Sequence, residues 1–393
     1  MSASADAIRP FTIAVPELML EDLRERLART RWLDEIEGTG WEYGVPLAYL
    51  RGLVDHWRTR YSWRAAEARL NAFPQFTTAI DGIDLHFIHA RSPHARALPL
   101  LLSHGWPGSV WEFHKIIPLL TDPVGHGGSA DDAFHVVCPS LPGFGFSSAP
   151  AERGWSSPRM AEAFAKLMAR LGYDRYGAQG GDWGGGITRW LATSDGGRCV
   201  GGHSNFPPSA QPADDPRRDV SDREFARWQA RAAEVADHKG YSAIQGTRPQ
   251  TLGHALNDSP AGLAAWIIDK FWIWSDHGGD LDNIYTRDEL LTNIMLYWVT
   301  RSMPSSMRIY FESQHDLPRP ASMTPFESSD TPAPMGFALF PREINVPPRA
   351  WVERQMGARM IHWTEMPRGG HFAALEQPKL LAEDIRAFFA KVR

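Results

Sequence analysis

Cysteine is scarce in this sequence: 393 residues hold two, Cys138 and Cys199. Both lie in apolar, strand-like runs, and neither has a partner at metal-ligand spacing. A disulfide-stapled scaffold and a cysteine-ligated metal centre are therefore excluded. Charge of one sign is also lacking. A formal net charge of −5 gives no electrostatic reason for a nucleic-acid or anionic-membrane partner. No window of about 18 apolar residues occurs, and residues 1–10 lack the apolar segment of a secretory signal. The expectations are a cytoplasmic location and no membrane anchor. Repeats and low-complexity tracts are absent. What is present is 43% hydrophobic and 22% charged residues, the balance of a soluble chain with a substantial core. The length suits one large domain with insertions, or two to three units. Tryptophan is abundant at 16, with many in the second half. An aromatic-lined pocket for an apolar ligand explains that, and so does core packing.

Residues 1–75 read as an N-terminal arm packed on the main domain. Residues 16–30 predict a helix with Leu18, Leu20, Leu23 and Leu27 on one face. Residues 45–61 predict a second, with Leu47, Leu50, Val54 and Trp57 on a stripe. From Phe76 strands and helices alternate. Residues 76–80 and 85–89 flank Asp81-Gly82, a hairpin signal. Residues 98–103 and 134–138 are short buried strands, each running into a loop rich in Gly and Pro. A helix over 158–171, a strand over 173–178 and a helix from 187 follow. This alternation predicts an α/β fold: a mostly parallel sheet with helices on both faces. Residues 76–205 form its first part. Ligands of such sheets bind at the carboxyl ends of the strands, where the loops 104–109, 140–147 and 180–184 fall. After residues 200–205 the alternation stops. Residues 206–320 carry helical patterns (221–238, 260–274, 287–301) and form an insertion large enough to act as a lid. Residues 318–334, rich in Pro and Ser, read as the way out of it. Residues 321–393 resume the core, with strands over 335–340 and 360–366 and helices over 349–356 and 378–392.

The chemistry centres on Gln179-Gly180-Gly181-Asp182-Trp183-Gly184. A carboxylate sits on a tight strand-to-helix turn with glycine on both sides. This is the pattern of a nucleophile elbow, with Asp182 where many hydrolases keep serine. A serine attacks acyl carbon; a carboxylate displaces at saturated carbon and leaves an alkyl ester on the enzyme. Taken alone, a glycine-rich turn with a capping Asp explains the stretch equally well. Hydrolysis of such an ester needs two backbone donors for its oxyanion. On this fold they come from the residue after the nucleophile and from the loop after the third strand, here Trp183 and Trp106. It also needs a base. Among 15 histidines, His371 has the right place, in the loop between the last strand and last helix. The carboxylate that orients the imidazole belongs after the preceding strand. Glu343 is the best candidate, because Glu353 and Glu365 fall in a helix pattern and a strand pattern.

The sequence resembles the microsomal-type epoxide hydrolase family, within the α/β-hydrolase superfamily. The resemblance spans nearly the whole chain, including an arm of the epoxide-hydrolase type. It rests on HGWPGS (104–109), GGDWG (180–184), GHALNDSPAGLAA (253–265), LLTNIMLYW (290–298), FALFPRE (337–343) and RGGHFAA (368–374). It implies Asp182 as nucleophile, Glu343 as charge-relay acid and His371 as base. Two tyrosines that hydrogen-bond the epoxide oxygen map onto Tyr241 (KGYSAIQ) and Tyr310 (MRIYFE). A phenol suits that task, since it donates a proton without being ionised at neutral pH. Mammalian members carry an N-terminal membrane anchor; by its lack of one, this chain resembles the soluble members.

The expected activity is conversion of a small apolar epoxide and water to a vicinal diol, with no cofactor and no metal. The expected role is detoxification, and a homodimer is compatible with the sequence. A haloalkane dehalogenase is the competing enzyme, arguing from the same elbow and histidine but needing halide donors instead of paired phenols. A non-catalytic small-molecule receptor on the same scaffold is the third reading. The joint presence of Asp182, Glu343 and His371 argues against it.

Overall fold

Among the described residues, nine strands form one sheet in the order β1-β2-β3-β5-β4-β6-β7-β8-β9. The computed structural model describes residues 7–195, 197–315 and 332–393. Strands β1 (Arg9–Phe11), β2 (Gln75–Ile80) and β3 (Ile83–Ala90) pair antiparallel, and β3 joins β5 (Phe134–Pro139) in the same sense. From there β4 (Leu98–Ser103), β6 (Tyr176–Gly180), β7 (Cys199–Ser204), β8 (Met335–Leu339) and β9 (Met360–Glu365) run parallel. This is the α/β-hydrolase arrangement expected from the alternation. The hairpin turn falls where Asp81-Gly82 predicts it, with φ of 50° and 80°.

Helices cover the sheet because each parallel crossover must bury an apolar stripe. In chain order they are α1 (Glu17–Ala28), α2 (Leu47–Thr59), α3 (Trp63–Asn71), α4 (Ile116–Thr121), α5 (Ser157–Arg170) and α6 (Asp182–Ser194). The inserted helices follow: α7 (Asp222–Ala236), α8 (Gly240–Thr247), α9 (Pro249–Leu256), α10 (Pro260–Trp274), α11 (Arg287–Thr300) and α12 (Met303–His315). The chain closes with α13 (Arg349–Met356), α14 (Ala373–Glu376) and α15 (Pro378–Phe389). One apolar cluster runs from Leu20, Leu53 and Trp57 of the first two helices through Ile267, Leu291 and Ile294 of the insertion to Leu101 and Ala178 of the sheet.

Several details depart from the sequence reading. Leu18 is 78% exposed, so the buried face of α1 is Leu20, Leu23 and Leu27. The strand before the elbow begins at Tyr176, three residues later than periodicity implied, and α6 begins at Asp182 itself. The short strand β1 and the helices α3, α8, α9 and α12 carry too few periodic positions to stand out in sequence. The arm also packs on α10 and α11 as well as on the sheet edge. Of the expected connection 318–334, residues 318–331 lie outside the described residues.

Candidate active site

Strands β4, β6, β8 and β9 each deliver one piece of the site from the carboxyl end. Strand β6 ends at Gly180 and hands over to Asp182, whose φ of 50° is left-handed. For a residue other than glycine that conformation costs on the order of 1–3 kcal/mol. The turn is tight enough that a Cβ on Gly180 would lie 2.4 Å from the Gly184 carbonyl oxygen, and one on Gly184 would lie 1.9 Å from that of Ser103. The glycines on either side of the aspartate are thus steric requirements of the turn.

Strand β4 ends in His104–Ser109, and there the Trp106 N–H donates to Asp182 Oδ1 at 2.8 Å. After β8, Glu343 is fully buried, and after β9, His371 faces both carboxylates. His371 Nδ1 lies 2.5 Å from Glu343 Oε1, and Nε2 lies 3.6 Å from Asp182 Oδ2. The imidazole is wedged between Trp274 and Phe206, with ring centroids at 5.0 and 5.9 Å. Tyr241 on α8 and Tyr310 on α12 approach from the insertion. Their rings sit 5.7 Å apart and both contact Trp106, at 5.4 and 5.8 Å. The ring of Trp183 meets Tyr310 at 4.9 Å. All seven residues singled out in the sequence therefore converge on one place.

The electrostatics follow from burial. Burial raises the Asp182 carboxyl, while the His371 charge and the backbone N–H groups of Trp106 and Trp183 pull it back down. Burial alone would lower His371. The charge and hydrogen bond of Glu343, then the charges of Asp182 and Glu112, outweigh it and lift His371 to about 9. Burial pushes both phenols above their ordinary value, so they are neutral donors at working pH. The raised imidazolium has a consequence for stability. Its folded value lies above the unfolded one near ~6.5, so its contribution is complete below that pH and lost as pH rises through about 9. The gap in Tm between the wild type and His371→Gln is expected to narrow from pH 6.5 to pH 9.5. A gap constant over that range would show that His371 is not held charged.

Four supports escaped the sequence reading. Asn293 Nδ2 on α11 donates to the Pro107 carbonyl at 2.8 Å, and Tyr297 donates to that of Gly108 at 2.6 Å. Arg231 on α7 donates to the carbonyls of Glu343, Arg342 and Ile273 at 2.8, 2.8 and 3.1 Å. Glu376 accepts the N–H groups of Gly370, Phe372 and Asp276, and the His371 N–H reaches the Trp274 carbonyl at 2.8 Å. The stretch LLTNIMLYW contains Asn293 and Tyr297, so it was visible, but nothing local assigns it a bracing role.

In front of Asp182 opens a cavity of about 1010 Å³. Trp183, Trp190, Phe206, Tyr241, Trp274 and Tyr310 line it, so some of the tryptophans form an aromatic pocket, while others, such as Trp57, Trp63, Trp111 and Trp298, are packed in the core. Its size is at the upper end for small-molecule sites, about 300–1,000 Å³. Among the described residues, no cluster of His, Cys, Asp and Glu is arranged to hold a metal ion, and no helix is long and apolar enough to cross a membrane.

Comparison with known proteins agrees with this geometry. Residues 8–113 match the family model described as epoxide hydrolase N terminus, and residues 99–215 match that of the alpha/beta hydrolase fold. A Stigmatella aurantiaca (strain DW4/3-1) protein is 51% identical over 387 residues, covering 98% of this chain and 86% of its own. Epoxide hydrolase 1 of Sus scrofa is 39% identical over 98% of this chain and 89% of its own. The chain belongs to the epoxide hydrolase family. Solved structures of the family superpose along its whole length. The juvenile hormone epoxide hydrolase of the silkworm Bombyx mori gives a TM-score of 0.89 at 33% identity, covering 99% of this chain and 95% of that one. The Aspergillus niger epoxide hydrolase gives 0.86 at 32% identity, covering 100% and 98%.

Proposed function

We propose that this chain is an epoxide hydrolase that makes vicinal diols through a covalent ester on Asp182. The observation that carries the reading is the pairing of two neutral phenols with a restrained carboxylate in one aromatic cavity. The Asp182 oxygen not held by Trp106 attacks a ring carbon. The carbon–oxygen bond breaks, and the departing oxygen takes a proton from Tyr241 or Tyr310. Ester formation cancels the charge on Asp182, one of the influences that hold His371 protonated. The imidazolium proton then restores the phenol, and a neutral imidazole is left to act as base. It takes a proton from water as the oxygen attacks Asp182 Cγ. The oxyanion forms on the oxygen facing the N–H groups of Trp106 and Trp183, and its collapse releases the diol. Glu343 holds the imidazole in place and balances its charge.

In this reading residues 206–320 are the lid, residues 1–75 the arm, and 76–205 with 321–393 the catalytic core. The substrate is an apolar epoxide with a body large enough to fill the front cavity. No cofactor enters, and the cellular address is the cytoplasm. The indole of Trp183 faces the Tyr310 ring at 4.9 Å, whereas a dehalogenase would point such an indole N–H at halide. The test is His371→Gln mixed with styrene oxide and, separately, with a chloroalkane. Mass spectrometry is expected to show protein plus one epoxide mass, with decay slowed about 10³-fold or more, and no chloroalkane adduct. Lost turnover without any epoxide adduct would remove the covalent route, and a chloroalkane adduct alone would favour the dehalogenase.

A further inference from the structure

The front cavity is aromatic around Asp182, yet its wall also carries a guanidinium, that of Arg189. Asp182, Gly186 and Arg189 follow the i, i+4, i+7 spacing of one face of α6, and all three line the cavity. Gly186 leaves space on that face: a Cβ there would lie 3.3 Å from Ser157 Oγ and 4.0 Å from Arg189 Nη2. The guanidinium is thus folded back along α6, on the order of 10 Å from the nucleophile at ~1.5 Å of rise per residue. Its Nη1 donates to the Phe206 carbonyl at 2.9 Å. Among the described residues, no carboxylate pairs with it. Burial lowers the group to about 10, so it keeps its charge at neutral pH. A charge taken from water without a partner is costly, and proteins ordinarily pair it.

The wall around Arg189 is positive as well. The first turn of α5 reaches the cavity through Ser157 and Pro158, and it has no acidic residue and no side-chain cap. A helix start of this kind presents N–H groups without an intrahelical partner and a partial positive charge. Lys239 and Arg354 also lie on the wall. Apart from Asp182, the carboxylate facing them is Asp214, which is paired with Arg218. We propose that Arg189 is an anion subsite of the front cavity, and that the preferred epoxides carry a carboxylate at the far end of an apolar body. Guanidinium and carboxylate match as planar, two-pronged partners. The aromatic rings hold the body, Asp182 and the two phenols take the epoxide, and Arg189 anchors the acid. The product is then a dihydroxy acid.

The inference rests on the epoxide activity proposed above, and the two fail differently. ω-Epoxyoctanoic acid and its methyl ester offer the same ring and chain with and without the charge. The wild type is expected to show a kcat/KM about 10-fold or more higher for the acid. In Arg189→Met that advantage should vanish, the acid falling about 10- to 100-fold and the ester less than about 3-fold. Arg189→Lys should recover part of the preference. If Arg189 only braces the Phe206 carbonyl, acid and ester will fall together, and the subsite is refuted. Equal use of acid and ester by the wild type refutes it too. Calorimetry of octanoate and octanol on the wild type needs neither turnover nor a variant. Octanoate is expected to bind about 10-fold or more tighter than octanol, and equal affinities overturn the subsite even if Arg189→Met does not fold. If neither epoxide is hydrolysed while octanoate binds, the epoxide activity fails and the anion subsite stands.

Discussion

Asp182→Ala is expected to abolish diol formation and leave the fold intact. The activity loss should be roughly 10⁴-fold or more, the scale seen when a covalent nucleophile is removed. Among the described residues, the other carboxylate on the wall of the front cavity, Asp214, is exposed and paired with Arg218, and Glu343 is fully buried against His371. The fold should survive. Alanine is less comfortable than aspartate at a φ of 50°, but that strain of about 1–3 kcal/mol is small beside a typical domain stability of about 5–15 kcal/mol. Diol yield by gas chromatography and Tm by circular dichroism check both halves. Wild-type-like turnover in the folded variant would sink the assignment. Asparagine is a poorer choice, since an amide on an elbow can hydrolyse back to aspartate.

Replacing both phenols should be almost as damaging. Tyr241→Phe and Tyr310→Phe are each expected to slow ring opening about 10²-fold, since loss of one donor to a developing oxyanion costs on the order of 3 kcal/mol. The double variant should form no measurable ester. Its epoxide oxygen would then become an alkoxide among Trp106, Trp183 and Trp274 with neither phenol to donate, and an unpaired buried charge is far more costly. The rings are packed against tryptophan faces, and phenylalanine keeps those contacts, so the loss isolates the hydroxyls. Rapid-quench mass spectrometry in the His371→Gln background reads ring opening alone. If the double variant accumulates ester at the parent rate, Tyr241 and Tyr310 are packing residues, and the epoxide reading loses its main support.

Much of the fold was legible because its signals are local. Short apolar runs ending in Gly and Pro marked β4, β5 and β8, and the helices at 260–274 and 349–356 were read with their observed bounds. Asp182, His371 and Glu343 could be placed because each follows a recognisable strand in a fixed chain order. Tyr241 and Tyr310 could not be found that way. They sit on helices with no periodic signal, and only the family resemblance singled them out. Arg231 and Asn293 were invisible for another reason. Their roles depend on partners tens to hundreds of residues away, and an isolated Glu or Arg in a sequence is ordinarily a solvated surface charge. Leu18 shows the converse error: a leucine in phase with a stripe can still face water where the helix meets nothing.

The hydrogen bonds from Asn293, Tyr297 and Arg231 bear on how this enzyme can be changed. They tie α11 and α7 to the loops that carry Trp106 and Glu343. Cover and catalyst are therefore not separable cassettes. A cap transplanted from a relative would have to bring the same amide, phenol and guanidinium at the same points, or it would enclose a pocket whose chemistry had come loose. Substrate range is instead open to revision where the cavity wall carries none of these ties, along residues 207–212 and at Ser242 and Ala243 of α8. Laboratory evolution toward bulkier epoxides should accumulate its substitutions there and leave α11 untouched.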